Sequence, residues 1–339
     1  MNQIKDLEKI KVGISIGDPN GVGVEIILKV FEIKKFFQFF IPIVFCPKRI
    51  VVNQKRHFNL KTQLNFIDKI NESVIDKLNI KQMMDYDGAL CFGEPSKISG
   101  EIALNSFLEG TKALKKGAID LLVTGPLDKS TIQRENYKFL GHTGYLNQEF
   151  LGEAMMLMVS DEVKIALVSE HIPISEVSSQ LSKELLFKRI NQLVETLRLD
   201  FGIINQKIAI LGINPHAGDN GFIGGEEENI IRPVIEEFIL EGVNVCGPFS
   251  ADGFFGSQQH LKYDAVLAMY HDQGIIPFKT LSFGKGINFT AGLDKIRTSP
   301  DHGTAYDIAG KGIVKTGSFE KSLFLGRGIF FMRKHGIKI

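Results

Sequence analysis

Residues 263–312 read YDAVLAMYHDQGIIPFKTLSFGKGINFTAGLDKIRTSPDHGTAYDIAGKG. The stretch opens with Ala265-Val266-Leu267-Ala268-Met269, an unbroken apolar run of the length and type of a buried strand. It runs into Tyr270-His271-Asp272-Gln273-Gly274, where groups able to bind a metal or move a proton crowd the strand end. Open α/β sheets bind their ligands outside the carboxyl ends of strands. Lys279, Asn288 and Arg297 follow, each a donor suited to an anionic substrate. The stretch closes on His302-Gly303-Thr304-Ala305-Tyr306-Asp307 and Gly310-Lys311-Gly312. Packing alone does not call for so many His, Asp, Lys, Arg and Gly residues together, and the segment reads as half of an active site.

Working outward, the same grammar recurs. Lys11–Ile16 reads as a strand running into Gly17-Asp18-Pro19-Asn20-Gly21-Val22-Gly23, and Ile26, Ile27 and Val30 begin a helical face. This unit lacks GxGxxG, so it reads either as a ligand loop or as a plain glycine turn. Ile41–Phe45 is a short apolar strand, whereas Val51–Leu90 shows no steady period. A helix over 100–116 ends at Gly117, and the strand 119–123 delivers Thr124-Gly125-Pro126-Leu127-Asp128-Lys129. Gly141-His142-Thr143-Gly144 precedes a helix, where Thr143 either caps the helix or joins His142 in an anion site. Residues 155–159 and 163–168 form two antiparallel strands ending at Ser169-Glu170-His171, and 181–197 is an amphipathic helix. The strand 207–211 leads to Asn214-Pro215-His216-Ala217-Gly218, and a helix over 226–240 carries three acids in its first turn, as the helix dipole favours. The alternation of strands and helices predicts an α/β fold with mainly parallel sheets and helices on both faces.

Bulk composition narrows the function. With 339 residues, two domains are expected rather than one. Forty basic residues against thirty-nine acidic give a charge of +1, so no global field points to nucleic acid or a membrane surface. Cys46, Cys91 and Cys246 have no CxxC spacing and suit a reducing cytoplasm rather than a disulfide framework. Residues 1–10 lack the apolar core of a leader, and Ile33–Val52 is too interrupted by Lys and Pro to span a bilayer. A cytoplasmic protein is expected.

His171, His216 and His271 share one context: each follows an apolar strand beside Pro or Gly. Three histidines plus an open position make a catalytic divalent-metal site. Three unrelated, hydrogen-bonded histidines is the competing reading, because no local H-E-x-x-H or C-x-x-C signature is present.

The motifs Gly17-Asp18-Pro19-Asn20-Gly21, Thr124-Gly125-Pro126, Gly141-His142-Thr143, Asn214-Pro215-His216-Ala217-Gly218, Tyr270-His271-Asp272-Gln273-Gly274 and 297–305 (RTSPDHGTA) occur in that order. Jointly they resemble the 4-hydroxythreonine-4-phosphate dehydrogenases of pyridoxal 5′-phosphate biosynthesis, over essentially the whole chain. HGTAYDIAGKG is also similar to a segment of isopropylmalate dehydrogenases. The resemblance implies the two-domain isocitrate/isopropylmalate dehydrogenase fold, which binds NAD without GxGxxG and holds its active site in the interdomain cleft. The expected domains are 1–130 plus 285–339, carrying the NAD segment, and 131–284, carrying the metal ligands and a dimer interface. It implies a divalent metal on His171, His216 and His271, zinc in the first instance and replaceable by magnesium or cobalt. It implies substrate contacts from His142, Thr143, Lys279, Asn288 and Arg297, and a homodimer in which one metal ligand comes from the partner chain. His302 and Asp307 fall in the adenosine loop, so NAD is the expected cofactor, with NADP as an alternative. Asp272, and less so Asp252, would orient a histidine or relay a proton. One departure stands out: Gly144 follows the GHT motif where the family commonly carries an acid, which bears on the start of that helix. The implied reaction is oxidation of 4-phosphooxy-L-threonine at C3, then loss of CO₂ to give 3-amino-2-oxopropyl phosphate. A paralogue acting on threonate or erythronate 4-phosphate, and a metal-dependent hydrolase or aldolase without nicotinamide, are the rival readings.

Overall fold

The computed structural model describes residues 8–89, 91–132 and 141–336. The reading of 1–10 therefore falls largely on residues outside that range. In chain order the strands are β1 (Ile10–Ser15), β2 (Phe40–Phe45), β3 (Leu64–Ile67), β4 (Leu78–Lys81), β5 (Leu121–Thr124), β6 (Gly152–Val159), β7 (Lys164–Leu167), β8 (Ile208–Leu211), β9 (Val245–Phe249), β10 (Ala265–Ala268), β11 (Ile287–Leu293) and β12 (Arg297–Pro300). The chain divides into two compact units, Met1–Gly152 with Leu293–Phe330, and Glu153–Gly292 with Phe331–Ile339.

These boundaries differ from the 130/131 and 284/285 divisions read from sequence, for visible reasons. The helix Gly141–Glu149 stays with the first unit because His142 and Tyr145 pack on Phe107 and Glu149 pairs with Lys115 Nζ at 2.9 Å. Residues 285–292 stay with the second because β11 sits on β6 there, and a Cβ on Gly292 would lie 2.3 Å from Glu153 O. The last residues stay with it too, as Arg333 Nε donates to Asp200 Oδ1 at 2.6 Å.

The first unit is a parallel sheet in the order β3-β4-β2-β1-β5-β12. Its middle strands are buried on both faces, so β1 and β5 read as continuous apolar runs rather than alternating ones. Ser15 lies opposite Thr124, which brings the GDPNG and TGP loops side by side. The second unit runs β11-β6-β7-β10-β8-β9. β6 and β7 are antiparallel, as read from the sequence, and β7, β10, β8 and β9 are parallel. Because β10 lies between β7 and β8, the loops bearing His171, His271 and His216 leave one edge of one sheet.

The helices follow local chemistry. Lys183–Phe201 starts at Ser182, whose side chain accepts from Leu185 N at 3.1 Å, and stops at Gly202 with φ 70°. Its buried stripe is Leu186, Ile190, Leu193 and Leu197, and Phe187 stacks on Phe238 of the helix Arg232–Leu240 with ring centroids 4.7 Å apart. Among the described residues no helix is long and apolar enough to cross a membrane.

Candidate functional site

In the first unit, Arg297 opens β12 beside Thr124, which closes β5. Arg297 is 3% exposed, and its Nε and Nη2 both donate to Thr124 Oγ1, at 3.0 and 2.6 Å. Burial strips water from the guanidinium and pulls its pKa down to about 9, which still leaves a cation at neutral pH. An anion placed beside that planar fork gains charge-assisted bonds in a dry setting. His142 lies in the same neighbourhood. Burial and the nearby charges of Arg297 and Lys129 hold its pKa well below the usual histidine range, so it serves as a neutral donor or acceptor. Thr143 is half-buried in the first turn of the same helix. The helix forms straight through Gly144, so the missing acid does not disturb its start. Lys129, read from the sequence only as part of the segment after strand 119–123, lies close enough to His142 to depress its pKa. Its Nζ lies 3.3 Å from where a Cβ on Gly141 would stand, and Gly141 has φ 90°, so only glycine fits there.

The glycine loop after β1 resolves the choice left open by its sequence. A Cβ on Gly17, Gly21 or Gly23 would meet Pro126 O, Thr304 O or Ile16 O at 2.3, 2.6 and 2.1 Å. These glycines let backbone pack on backbone. Beside them, His302 Nδ1 donates to Gly303 O at 2.9 Å, while its Nε2 is buried with no hydrogen-bond partner. Asp307 is exposed on the same loop.

In the second unit, a cavity of about 310 Å³ is lined by Glu170, His171, Tyr270, His271 and Asp272, among others. The His171 and His271 rings stand 5.5 Å apart between centroids. His271 begins the helix His271–Ser282, and its Nδ1 is 2.7 Å from Asp272 Oδ1. That bond favours the proton on Nδ1 and leaves the Nε2 lone pair for a ligand. Gln273 ties the strand ends together: its Oε1 accepts from Met269 N at 2.7 Å and its Nε2 donates to Gly212 O at 2.6 Å.

His216 sits in a run of left-handed backbone, with φ 54° at His216, 50° at Ala217, 44° at Asp219 and 54° at Asn220. Each such non-glycine residue costs roughly 1–2 kcal/mol. What holds the run is Glu227, which is fully buried. Its Oε1 accepts from Ile213 N and Asn214 N, each at 2.7 Å, and its Oε2 from Asn214 Nδ2 at 2.9 Å. Removing this carboxylate in Glu227→Ala leaves the part-buried Ile213 N and Asn214 N without an acceptor, while Asn214 Nδ2 keeps Glu226 Oε2 at 2.8 Å, and should cost about 3 kcal/mol of stability. Urea unfolding followed by circular dichroism measures this, and a midpoint equal to the parent's would refute the assignment. Asp252 bonds Ser250 Oγ, which chiefly holds its carboxyl below the ordinary range, with His216 adding to the effect. It lies in the first turn of the short helix Ala251–Gly256, near His216.

Thus His171 and His271 come together with Asp272. Among the described residues, however, no three His, Cys, Asp or Glu side chains form one metal-ligand group, so His216 does not complete a set with that pair. Lys279 is exposed eight residues after His271 on the same helix. Asn288, half-buried on β11, keeps a buried Oδ1 with no hydrogen-bond partner, as an amide awaiting a donor would.

A family profile described as "Pyridoxal phosphate biosynthetic protein PdxA" matches residues 38–325. The chain belongs to the PdxA family. It is 38% identical over 329 residues to a 4-hydroxythreonine-4-phosphate dehydrogenase of Bacteroides thetaiotaomicron, covering 96% of this chain and 90% of that one. A relative from Oceanobacillus iheyensis, provisionally named a D-threonate 4-phosphate dehydrogenase, is 37% identical over 92% of this chain and 95% of its own. Among solved structures, a 4-hydroxythreonine-4-phosphate dehydrogenase from Klebsiella pneumoniae superposes with a TM-score of 0.80 at 31% identity, over 96% of this chain and 99% of that one. PdxA membership as a dehydrogenase implies a nicotinamide cofactor and a metal. The donor set fits the metal in part: two imidazoles facing one cavity, one of them fixed in tautomer by a carboxylate, are ligand chemistry for a divalent cation.

Proposed function

We propose that the chain is an NAD-dependent 4-hydroxythreonine-4-phosphate dehydrogenase that oxidises C3 of 4-phosphooxy-L-threonine and releases CO₂. The observation that carries the reading is the His171–His271 pair with its Asp272 support, in a chain of this family. In it, Arg297, His142 and Thr143, together with Lys279 and Asn288, bind the anionic ends of the substrate. A divalent cation on His171, His216 and His271 (zinc, with magnesium or cobalt able to replace it) supplies Lewis acidity at the C3 oxygen. Asp272 holds the His271 proton on Nδ1; a bound nicotinamide would take the C3 hydrogen as hydride while the C3 hydroxyl proton passes to solvent. The β-keto acid so formed then loses CO₂, giving 3-amino-2-oxopropyl phosphate. Failure of the three histidines to form one group within a single chain supports a homodimer in which a partner chain supplies the third ligand.

The relative named for D-threonate 4-phosphate favours a second substrate, differing in a hydroxyl for the amine at C2. A panel of both compounds, followed by NADH absorbance with and without chelator, decides between them. Turnover of neither, or turnover undiminished by exhaustive chelation, sinks the assignment.

Cofactor choice rests on Asp307, an exposed carboxylate able to accept from ribose hydroxyls and to repel a 2′-phosphate. Asp307→Asn should therefore narrow the kcat/KM preference for NAD over NADP by about tenfold, the size of one lost charge-assisted contact. An unchanged ratio would remove Asp307 from the cofactor site.

A further inference from the structure

We propose that Tyr306 is a positioning residue for the nicotinamide cofactor, holding loop 301–312 onto loop 17–22 through the buried side chain of Asp18. The proposal rests on the reading that loop 301–312 receives the cofactor's adenosine.

Tyr306 Oη donates to Asp18 Oδ2 at 2.9 Å, and Asp18 is 1% exposed. The rest of that carboxyl is fixed: Oδ1 accepts from Asn20 N and Oδ2 from Ser99 Oγ, both at 2.8 Å. Tyr306 therefore docks on an anchor that cannot itself drift. Asp128 Oδ2, 3.5 Å from the same hydroxyl, lies close enough to keep it donating rather than accepting.

The loop needs such an anchor. Its own backbone bonds, Ile308 N to Ala305 O, Ala309 N to Tyr306 O and Lys311 N to Ile308 O, are 3.2–3.3 Å long, and Ala305 has φ 47°. These are the long bonds of single turns, which alone give little rigidity. External clamps replace them. Val22 N donates to Thr304 O at 3.1 Å, His57 Nε2 meets Gly310 O at 2.8 Å, and Lys29 Nζ donates to Gly312 O at 2.7 Å. Tyr306 is the clamp made by a side chain of the loop itself, at its centre. It points inward while Asp307, its neighbour, stands exposed. Fixing Tyr306 thus sets the direction of Asp307, which is what a ribose-reading carboxylate requires.

The test titrates NADH, followed by its fluorescence, into the full-length parent protein, Tyr306→Phe and Asp307→Ala, with KM for 4-phosphooxy-L-threonine measured in parallel. Tyr306→Phe keeps the ring and removes only the hydroxyl. It should raise the NADH dissociation constant about tenfold, equivalent to ~1.4 kcal/mol, while the substrate KM stays within about twofold. If Asp307→Ala weakens NADH binding and Tyr306→Phe matches the parent, the clamp is overturned while the loop reading stands. If neither variant changes NADH binding, or the parent binds none, the loop reading fails and takes the clamp with it. Equal weakening of NADH and substrate in Tyr306→Phe, with a lower melting temperature, would show a general structural role and overturn the positioning one.

Discussion

His271→Ala is expected to strip the protein of divalent metal and to lower turnover by about 10³-fold or more, since a cation polarising a substrate oxygen takes several kcal/mol off the barrier. The reasoning starts from geometry. His171 and His271 face one cavity at 5.5 Å between ring centroids, and His271 is fixed by Asp272. Removing His271 takes one of the two imidazoles facing this cavity and leaves two of the three proposed nitrogens, too few to keep a catalytic divalent ion against water. The fold should survive, because His271 is the first residue of its helix and only half-buried, and Gln273 still ties the strand ends. Asp272→Asn should act in the same direction but more weakly, with about 10–100-fold lower metal affinity, as is usual when the group orienting a ligand histidine is lost. Metal content by mass spectrometry and titration with a chelator check both. A His271→Ala protein with full metal occupancy, or Asp272→Asn indistinguishable from the parent, would dismantle the assignment.

What could be read from the sequence divides along physical lines. β1, β8 and β10 are buried on both faces, so their apolar runs were visible without any partner. β3 and β4 are four residues each at the sheet's outer side, and β3 is only partly buried, so Val51–Leu90 carried no steady period. The glycines of GDPNG were recognisable as a close approach, but sequence could not tell whether backbone or ligand approaches. The answer is backbone, at Pro126 and Thr304.

Glu227 shows a signal that was present and passed over. Read as one of three acids suited to a helix start, it falls on the stripe with Ile231, Val234 and Phe238, all buried. A charge on an apolar stripe is a charge with a job, and here it holds the His216 loop. That each of His171, His216 and His271 follows a strand was legible, because each strand was recognisable. Their pairing was not, since spacing in sequence does not say which two side chains meet.

Arg297→Lys is the second large effect, an expected fall of about 10²–10³-fold in kcat/KM for the phosphorylated substrate, of the order measured when a partner of a buried charge pair is lost. The charge is nominally kept, but three things change. The planar fork that bonds Thr124 Oγ1 through two nitrogens becomes a single rotatable ammonium, and bidentate recognition of an anion disappears with it. The stem is shorter in reach at a site that is 3% exposed, so the ammonium cannot recover its contacts from water. Burial already pulls the guanidinium down to about 9, and an ammonium starts lower and desolvates at greater cost. The sign follows: the charged form binds the anion, so the variant's affinity should be lost as pH rises through the lysine's depressed pKa, at a lower pH than in the parent. Thr124→Val separates positioning from charge. It leaves the guanidinium and removes its hydroxyl partner, so KM should rise about tenfold with kcat nearly unchanged. Steady-state kinetics from pH 6 to pH 9 on the parent and both variants make the check. A lysine variant with the parent's KM across that range would remove Arg297 from the substrate site and leave it a buried tie between β5 and β12.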